Sequence, residues 1–195
     1  MLCILLLAAG RSSRMRGADK LLNTVQNAPL IVTMTKRALA TGLPVSVCLP
    51  DLTGPRANAL HSLAVSMVPV ADADLGMAHS IRAGTSTLPD DCSAIMILPA
   101  DMPEITARDL RQMHTAHKAA PTAIIRGASA DGRPGHPVVF PKSTFNKLAG
   151  ISGDTGAKPV ISGFDGEIRL VPLPAQHALT DLDTPEDWQN WHARS

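Results

Sequence analysis

A stretch of small residues interrupted by cations follows the first apolar segment and could bind phosphate groups. It reads Leu7-Ala8-Ala9-Gly10-Arg11-Ser12-Ser13-Arg14, and Lys20 lies shortly after it. Small residues let the backbone approach a ligand closely, and successive N–H groups can cradle phosphate oxygens. Arg14 could bind phosphate oxygens through the planar fork of donors on its guanidinium, and Lys20 could attract them as a point charge. Because the spacing matches neither the Walker pattern nor the dinucleotide fingerprint, a basic surface loop is the alternative interpretation.

Two acidic segments could bind a divalent cation. Asp101 follows the apolar segment 95–99, and ligands of open α/β sheets bind beyond the carboxyl ends of such strands. A hard carboxylate oxygen there suits Mg²⁺, whereas the alternative role of Asp101 is to cap a turn. Further along the chain, Asp181 and Asp183 alternate around Leu182, and Asp183 directly precedes a predicted helix. We expect Asp183, ahead of Asp181, to be the second metal ligand.

Three glycine-containing segments could contact a substrate. Gly76 precedes a predicted helix that carries Ser80 and Arg82, and a helix N-terminus can receive an anion or the edge of a base. The alternative is a helix start that binds nothing. The segments 132–138 and 153–158 are also glycine-rich, and each of them alone could be an ordinary turn.

Short apolar segments that alternate with helix-length segments predict a mostly parallel α/β sheet as the scaffold for these residues. We expect strands over residues 2–7, 45–49, 65–70, 94–98, 123–125, 138–140 and 168–171. Helices are expected over 29–40, 56–62, 77–87, 107–118 and 155–162, with a last helix after Thr184. Thr106 with Asp109 and Thr184 with Asp187 have the spacing of capping boxes, and Pro29 suits a first helical position.

The composition argues against some classes of protein. The 195 residues carry 18 Lys and Arg against 17 Asp and Glu, and they include three Phe, two Trp and no Tyr. A nucleic-acid binder would need a basic face or more stacking platforms. No apolar segment is long enough to cross a bilayer, and no basic residue precedes the apolar start Met1–Ala9, as one would in a signal peptide.

The cysteines and histidines show no metal-binding pattern. Cys3, Cys48 and Cys92 are far apart within apolar segments, which predicts buried, reduced thiols and a cytoplasmic protein. His114 and His117 lie three residues apart on a predicted helix and lack a third ligand nearby. We therefore interpret them as part of a solvated helix face.

The loop after the first strand resembles the signature of the nucleotidyltransferase superfamily. The matching residues are Leu-Ala-Ala-Gly-x-Ser-x-Arg-Met at 7–15, followed by Lys20. The resemblance implies a Rossmann-like, three-layer α/β fold with a mostly parallel mixed sheet flanked by helices. It also implies that Gly10 and Arg14 wrap the triphosphate of an NTP and that Lys20 stabilises charge at the α-phosphate. Asp101-Met102-Pro103 and Asp181-Leu182-Asp183-Thr184-Pro185-Glu186-Asp187 resemble the family's metal-binding segments.

The two later glycine-rich segments narrow the resemblance. Gly-x-Pro-Gly-His-Pro at 132–137 and Gly-Asp-x-Gly-Ala-Lys at 153–158 are similar to the pair that surrounds the acceptor in molybdenum cofactor cytidylyltransferases. The opening Leu-Ala-Ala-Gly and the Asp-Met-Pro also favour this CTP-using branch over the GTP-using one. The resemblance thus implies transfer of a nucleoside monophosphate from CTP to a pterin phosphate. It places NTP binding at about residues 1–126 and acceptor binding at about 127–195, within a single domain.

The candidate residues have four roles, and three of the residues have two roles each. The catalytic candidates are Lys20, Arg14 and Asp101, and the ligands of a magnesium cofactor are Asp101 and Asp183. Nucleotide binding is expected of Leu7, Ala8, Ala9, Gly10, Arg11, Ser12, Arg14, Lys20, Gly76, Ser80 and Arg82. Acceptor binding is expected of Gly135, His136, Pro137, Gly153, Asp154, Gly156 and Lys158.

Other functions stay open at this stage. The same chemistry could use GTP, or a sugar or alcohol phosphate as the acceptor. A protein that binds nucleotide or cofactor without catalysis and delivers it to an apo-enzyme is a further alternative, although pure binding would not need the metal acids. A transient contact with a molybdoenzyme or its chaperone is expected in either case.

Overall fold

Strands and helices alternate along residues 1–194, the part of the chain that the computed structural model describes. The strands are β1 (Leu2–Leu7), β2 (Thr24–Val25), β3 (Ala28–Pro29), β4 (Val45–Leu49), β5 (Ser66–Pro69), β6 (Ala94–Pro99), β7 (Ile124–Ala128), β8 (Pro134–Pro141) and β9 (Ile168–Pro172). The helices are α1 (Leu30–Leu39), α2 (Pro55–Leu60), α3 (Met77–Ser86), α4 (Ala107–Ala119), α5 (Phe145–Ala149), α6 (Lys158–Ser162) and α7 (Pro185–His192). None of these helices has the length and apolar character needed to cross a bilayer.

Seven of the strands form one sheet in the order β5-β4-β1-β6-β8-β7-β9. Neighbouring strands are parallel except for β8, which is antiparallel to both β6 and β7. Strands β2 and β3 form a separate hairpin, whose turn residues Gln26 and Asn27 both have positive φ. Because β8 runs the opposite way, its first residues lie at the same edge of the sheet as the carboxyl ends of β1 and β6.

Alternating side chains divide the core into two layers, one on each face of the sheet. Ile4 and Leu6 pack with Met96 against α1, α2, α4 and α7, whereas Leu5 and Phe140 pack against α3, α5 and α6. Strand side chains alternate in this way because successive residues point to opposite faces. The sheet between two helical layers confirms the predicted three-layer, mostly parallel mixed α/β fold.

Two local predictions differ from the structure at glycine- and proline-rich segments. The predicted strand over 138–140 is longer, because β8 already begins at Pro134 inside the predicted loop. The pairing of β8 with β7 becomes irregular between Arg126 and Ala128, which accommodates prolines that cannot donate a ladder hydrogen bond. The predicted helix over 155–162 begins only at Lys158, because Gly156 adopts φ +58° and interrupts the helical conformation.

The ends of the helices follow the predicted signals with one correction. Both capping boxes form, since the Thr106 and Thr184 hydroxyls accept from the amides of Asp109 and Asp187. Pro29, predicted as a first helical position, instead ends the β2–β3 hairpin, and α1 begins at Leu30. Several other predicted elements begin or end within a few residues of the observed ones.

The interpretation of His117 as a solvated residue is wrong. His117 is only 6% exposed, because it continues the inward-facing row of α4 that Leu110 and Met113 begin. Such a spacing of three and four residues keeps side chains on one helix face. The three cysteines are buried as predicted, and each is a free thiol.

Gly84 tests how tightly α3 packs on the sheet. A Cβ atom at this position would lie 2.3 Å from a methyl carbon of Leu5, and Leu5 is fully buried. We expect Gly84→Ala to destabilise the protein by about 2 kcal/mol through overpacking, despite the better helix propensity of alanine. The free energy of unfolding in urea measures this effect. Gly150→Ala is the matched control, since its Cβ would have no neighbour closer than 3.7 Å. Equal stability of the two variants would contradict the prediction.

Candidate active site

A cavity of about 660 Å³ opens at the carboxyl ends of β1 and β6. The loop after β1 forms one wall, and the segment that precedes α3 forms another. The first residues of β8 and the segment before α7 complete the lining. This edge of an open α/β sheet is where ligands bind, because loops there diverge to either side of the sheet. The volume is sufficient for a small-molecule substrate.

Lys20 lies at the centre of the cavity between two carboxylates. Its Nζ donates to Oδ2 of Asp101 at 2.5 Å and to Oδ1 of Asp183 at 2.6 Å. The Arg14 guanidinium donates to the other oxygen of Asp183 at 2.6 Å. Burial opposes the charge on Lys20, but the two carboxylates outweigh burial and raise the pKa of its ammonium. Ion pairs therefore connect the loop after β1 with the end of β6 and with the start of α7.

The same carboxylates suit a divalent cation. Oδ1 of Asp101 is buried and has no hydrogen-bond partner within residues 1–194. Desolvation at the cavity wall, with repulsion from Asp101 and Asp183, raises the pKa of the Asp181 carboxyl. The orphaned oxygen of Asp101 is a hard donor that fits a cation such as Mg²⁺. Both oxygens of Asp183 instead accept from Lys20 and Arg14, so its role as the second metal ligand stays a prediction.

The backbone positions the two carboxylates relative to one another. The amide of Leu182 donates to the carbonyl oxygen of Asp101 at 3.1 Å, so the segment before α7 is attached to the end of β6. The amide of Asp183 donates to Oδ2 of Asp187, the same carboxylate that closes the capping box of α7. The start of α7 thus holds Asp183 in place beside Lys20.

Arg56 anchors the loop after β1, residues 7–14, which we call the glycine loop. Its Nη1 donates to the carbonyl oxygens of Ala8 and Gly10 at 2.6 and 2.9 Å. Its Nε and Nη2 bind the Asp19 carboxylate, and Nη2 also reaches Oγ of Ser12. Burial of Asp19 opposes its charge, but Arg56 outweighs burial and lowers the pKa of that carboxyl. Arg56 therefore fixes the loop through its carbonyls and side chains.

The segment before α3 contacts the later glycine-rich segment. Gly76 has φ +108°, and a Cβ there would lie 2.1 Å from Oδ1 of Asp154. The amide of Ala78 also donates to the carbonyl oxygen of Gly153 at 3.3 Å. On the opposite side, Asp74 forms an ion pair with Arg11 of the first loop. The segment around Gly76 thus joins the two predicted binding regions.

Strand β8 brings His136 and Gly135 into the cavity. A Cβ at Gly135 would lie 1.9 Å from the carbonyl oxygen of Ala178, so only glycine permits this close approach. The amide of His136 donates to that same carbonyl. Burial, assisted by the charge of Arg126, lowers the pKa of His136 to about 4. The imidazole is therefore neutral near pH 7.

Most of the predicted site residues line this cavity. They are Leu7, Ala8, Gly10, Arg11, Arg14, Lys20, Gly76, Ser80, Asp101, Gly135, His136, Asp154, Lys158 and Asp183. The structure places six others outside the lining, namely Ala9, Ser12, Arg82, Pro137, Gly153 and Gly156. Ser12 holds the loop by accepting from the Lys20 amide, and Arg82 is exposed on α3. Gly153 and Gly156 pack against Gly76 and Met77.

Sequence reasoning missed three side chains of the site. Arg56 and Asp19 gave no signal, because their contacts join segments that are 37 residues apart. Arg126 did give a signal in the sequence, because a cation within the apolar segment of β7 needs either a hydrogen-bond acceptor or a ligand.

Comparison with known proteins agrees with this geometry. The family model described as a MobA-like NTP transferase domain matches residues 4–170, and the chain belongs to that family. The resemblance to molybdopterin nucleotidyltransferases is thereby confirmed at the level of the family. Among curated relatives, the Bifunctional protein GlmU of Desulfotalea psychrophila is 31% identical over 120 residues, which are 60% of this chain and 35% of GlmU. The chain thus spans about a third of that relative's length.

Solved structures share the fold over nearly the whole chain. Rv0371c of Mycobacterium tuberculosis superposes with a TM-score of 0.82 at 25% identity, over 97% of this chain and 96% of that one. A structure of Rv0371c in complex with manganese has a TM-score of 0.79 at 24% identity, over the same shares. Molybdopterin-guanine dinucleotide biosynthesis protein A of Archaeoglobus fulgidus has a TM-score of 0.65 at 13% identity, over 99% of this chain and all of that one. The chain therefore shares the fold of these structures over nearly its whole length, in agreement with its family.

Arg56→Met tests the anchoring of the loop. The substitution leaves the Asp19 carboxylate and two loop carbonyls without their donor, so we expect a loss of about 3 kcal/mol in the free energy of unfolding. Arg56→Lys should recover only part of this loss, because an ammonium cannot reproduce the planar fork. Chemical denaturation measures both variants. Arg111→Met is the control, since Arg111 is exposed and makes one bond to a carbonyl. A stability equal to that of the control would contradict the anchoring role.

Proposed function

We propose that this member of the MobA-like family transfers the nucleoside monophosphate of CTP to the phosphate of a molybdopterin acceptor and releases pyrophosphate. The observation that carries the proposal is the position of Lys20, which bridges Asp101 and Asp183 at 2.5 and 2.6 Å beside the glycine loop. This arrangement gathers the cation, the carboxylates and the backbone donors that transfer at an α-phosphate requires.

The chain acts by positioning and by neutralising charge. The backbone N–H groups of the glycine loop receive the triphosphate, and Arg56 keeps that loop in place. Arg14 and Lys20 offset the negative charge that develops on the transferred phosphate. Asp101 and Asp183 would hold Mg²⁺, which would supply further charge neutralisation.

No general base is needed for this reaction. An acceptor phosphate is largely ionised at neutral pH, so one of its oxygens can attack the α-phosphorus directly. His136 lines the cavity but has a pKa of about 4, because it is buried and lies near Arg126. A group with that pKa is a poor proton acceptor at pH 7, so we assign His136 to hydrogen bonding with the acceptor.

The choice of CTP and of the pterin acceptor rests on sequence segments. Leu-Ala-Ala-Gly at 7–10 supports CTP, and the segments around His136 and Asp154 support the pterin acceptor. Both of those acceptor segments have residues in the wall of the same cavity as the glycine loop. Buried free thiols at Cys3, Cys48 and Cys92 are consistent with a cytoplasmic enzyme.

The first test is pyrophosphate release from the purified protein with Mg²⁺ and molybdopterin. CTP, GTP, ATP and UTP are offered separately, and we expect release with CTP. Release with GTP alone would keep the mechanism and overturn the choice of base. Binding of CTP without release of pyrophosphate would favour the delivery protein over the enzyme.

Asparagine variants test which acids hold the metal. Asp101→Asn and Asp183→Asn should each lower the transfer rate by about 10²-fold or more, because each removes a charged ligand. Their affinity for Mn²⁺, measured by calorimetry, should fall as well. Asp181→Asn is the matched control and should change metal affinity little. A larger loss in Asp181→Asn than in Asp183→Asn would exchange the two roles.

A further inference from the structure

Three hydrogen bonds join the two segments that carry the acids of the cavity. Residues 101–109 lead from β6 into α4, and residues 173–184 lead from β9 through turns and bends into α7. The bonded pairs, with donor-to-acceptor distances of 3.1, 3.0 and 2.9 Å, are Leu182 with Asp101, Thr180 with Glu104, and His177 with Asp109. Residue numbers rise in one segment as they fall in the other, so the two segments run antiparallel.

The first of these segments is held from both ends. Nη1 of Arg37, from α1, donates to the carbonyl oxygens of Pro103 and Ile105 at 2.6 and 2.8 Å. The capping box of Thr106 and Asp109 fixes the other end at the start of α4. The first segment is therefore the support on which the second segment is placed.

The second segment depends on contacts with its surroundings. The amide of His177 donates to the carbonyl oxygen of Pro174, a bond that shapes a turn without fixing where the turn lies. The carbonyl oxygen of Ala178 accepts from the amide of His136, which attaches the turn to β8. The three bonds to the first segment are needed to place the remainder, up to Asp183, beside the end of β6.

The bond between His177 and Asp109 involves a carboxylate that is almost fully buried. The side chain of Asp109 is 1% exposed and that of His177 is 22% exposed. Oδ2 of Asp109 also accepts from the amide and the hydroxyl of Thr106, both at 2.8 Å. Because an ionised carboxylate only accepts hydrogen bonds, Nδ1 of His177 is the donor. A charge-assisted bond away from water is stronger than a bond between neutral groups, so its loss should loosen the second segment.

We propose that His177 is a positioning residue, whose bond to Asp109 fixes Asp183 beside Lys20. His177 is not among the residues that line the cavity, so it acts through the backbone of its segment. Nζ of Lys20 lies 2.6 Å from Oδ1 of Asp183, and a shift of about 1 Å in this segment would break that contact. The proposal deepens the proposed function and rests on it only for the role of Asp183 in transfer.

Hydrogen exchange measured by NMR tests the positioning directly. His177→Leu removes the donor, and we expect the amide of Leu182 to exchange about tenfold faster or more, relative to the amide of Met96 in β6. His177→Asn should restore most of the protection, because the asparagine side chain also carries an N–H donor. Gly84→Ala is the control for a general loss of stability, since its added methyl group disturbs the opposite face of the sheet.

The affinity for Mn²⁺, measured by calorimetry, separates positioning from a merely structural role. His177→Leu should bind Mn²⁺ about tenfold more weakly, because a displaced Asp183 can no longer share the ion with Asp101. His177→Asn should recover most of this affinity, and Gly84→Ala should bind Mn²⁺ as the wild-type protein does.

Several results would decide against this role. Unchanged exchange at Leu182 in His177→Leu, or an equal acceleration in Gly84→Ala, would overturn it. Equal Mn²⁺ affinity in His177→Leu and in the wild-type protein would overturn it as well, since His177 would then be structural alone. If both effects appear but the wild-type protein releases no pyrophosphate from any nucleotide, His177 keeps its positioning role and the proposed function fails.

Discussion

One ammonium group, the Nζ of Lys20, connects three segments that are distant in the sequence. Asp101 and Asp183 lie 81 and 163 residues from Lys20 and are each about one-fifth exposed. Two such carboxylates repel one another unless a cation lies between them. A positive charge is therefore needed between the two carboxylates, and Lys20, which follows the glycine loop, supplies it. The charge balance at Lys20 explains why the loop, the end of β6 and the start of α7 converge.

The remainder of the site keeps those partners in place. Arg56 donates to two carbonyl oxygens of the glycine loop, and the capping box of α7 fixes the backbone of Asp183. The antiparallel strand β8 brings His136 to the same edge of the sheet. The residues proposed to bind the nucleotide and those proposed to bind the acceptor therefore line one cavity, although they come from distant parts of the chain. Rigid secondary structure sets these positions, which is what catalysis by positioning requires.

Local patterns in the sequence predicted most strands of the sheet and the glycine loop. The features that were missed depend on tertiary contacts. The apolar segments around Leu5 and Met96 are long enough to identify buried strands, and the threonine caps are local signals. The extension of β8 from Val138 back to Pro134 depends on pairing with β7, which no local pattern carries. Arg56 was missed for the same reason, because its acceptors belong to another segment.

In the proposed reaction, the α-phosphorus of the nucleotide is the reacting centre. The most direct measurement incubates the protein with Mg²⁺, molybdopterin and CTP that carries radiolabel at either the α- or the γ-phosphorus. We expect the α-label to enter the acceptor product and the γ-label to leave in pyrophosphate. Transfer of the γ-label to the acceptor, or retention of both labels in CTP, would rule out this reaction.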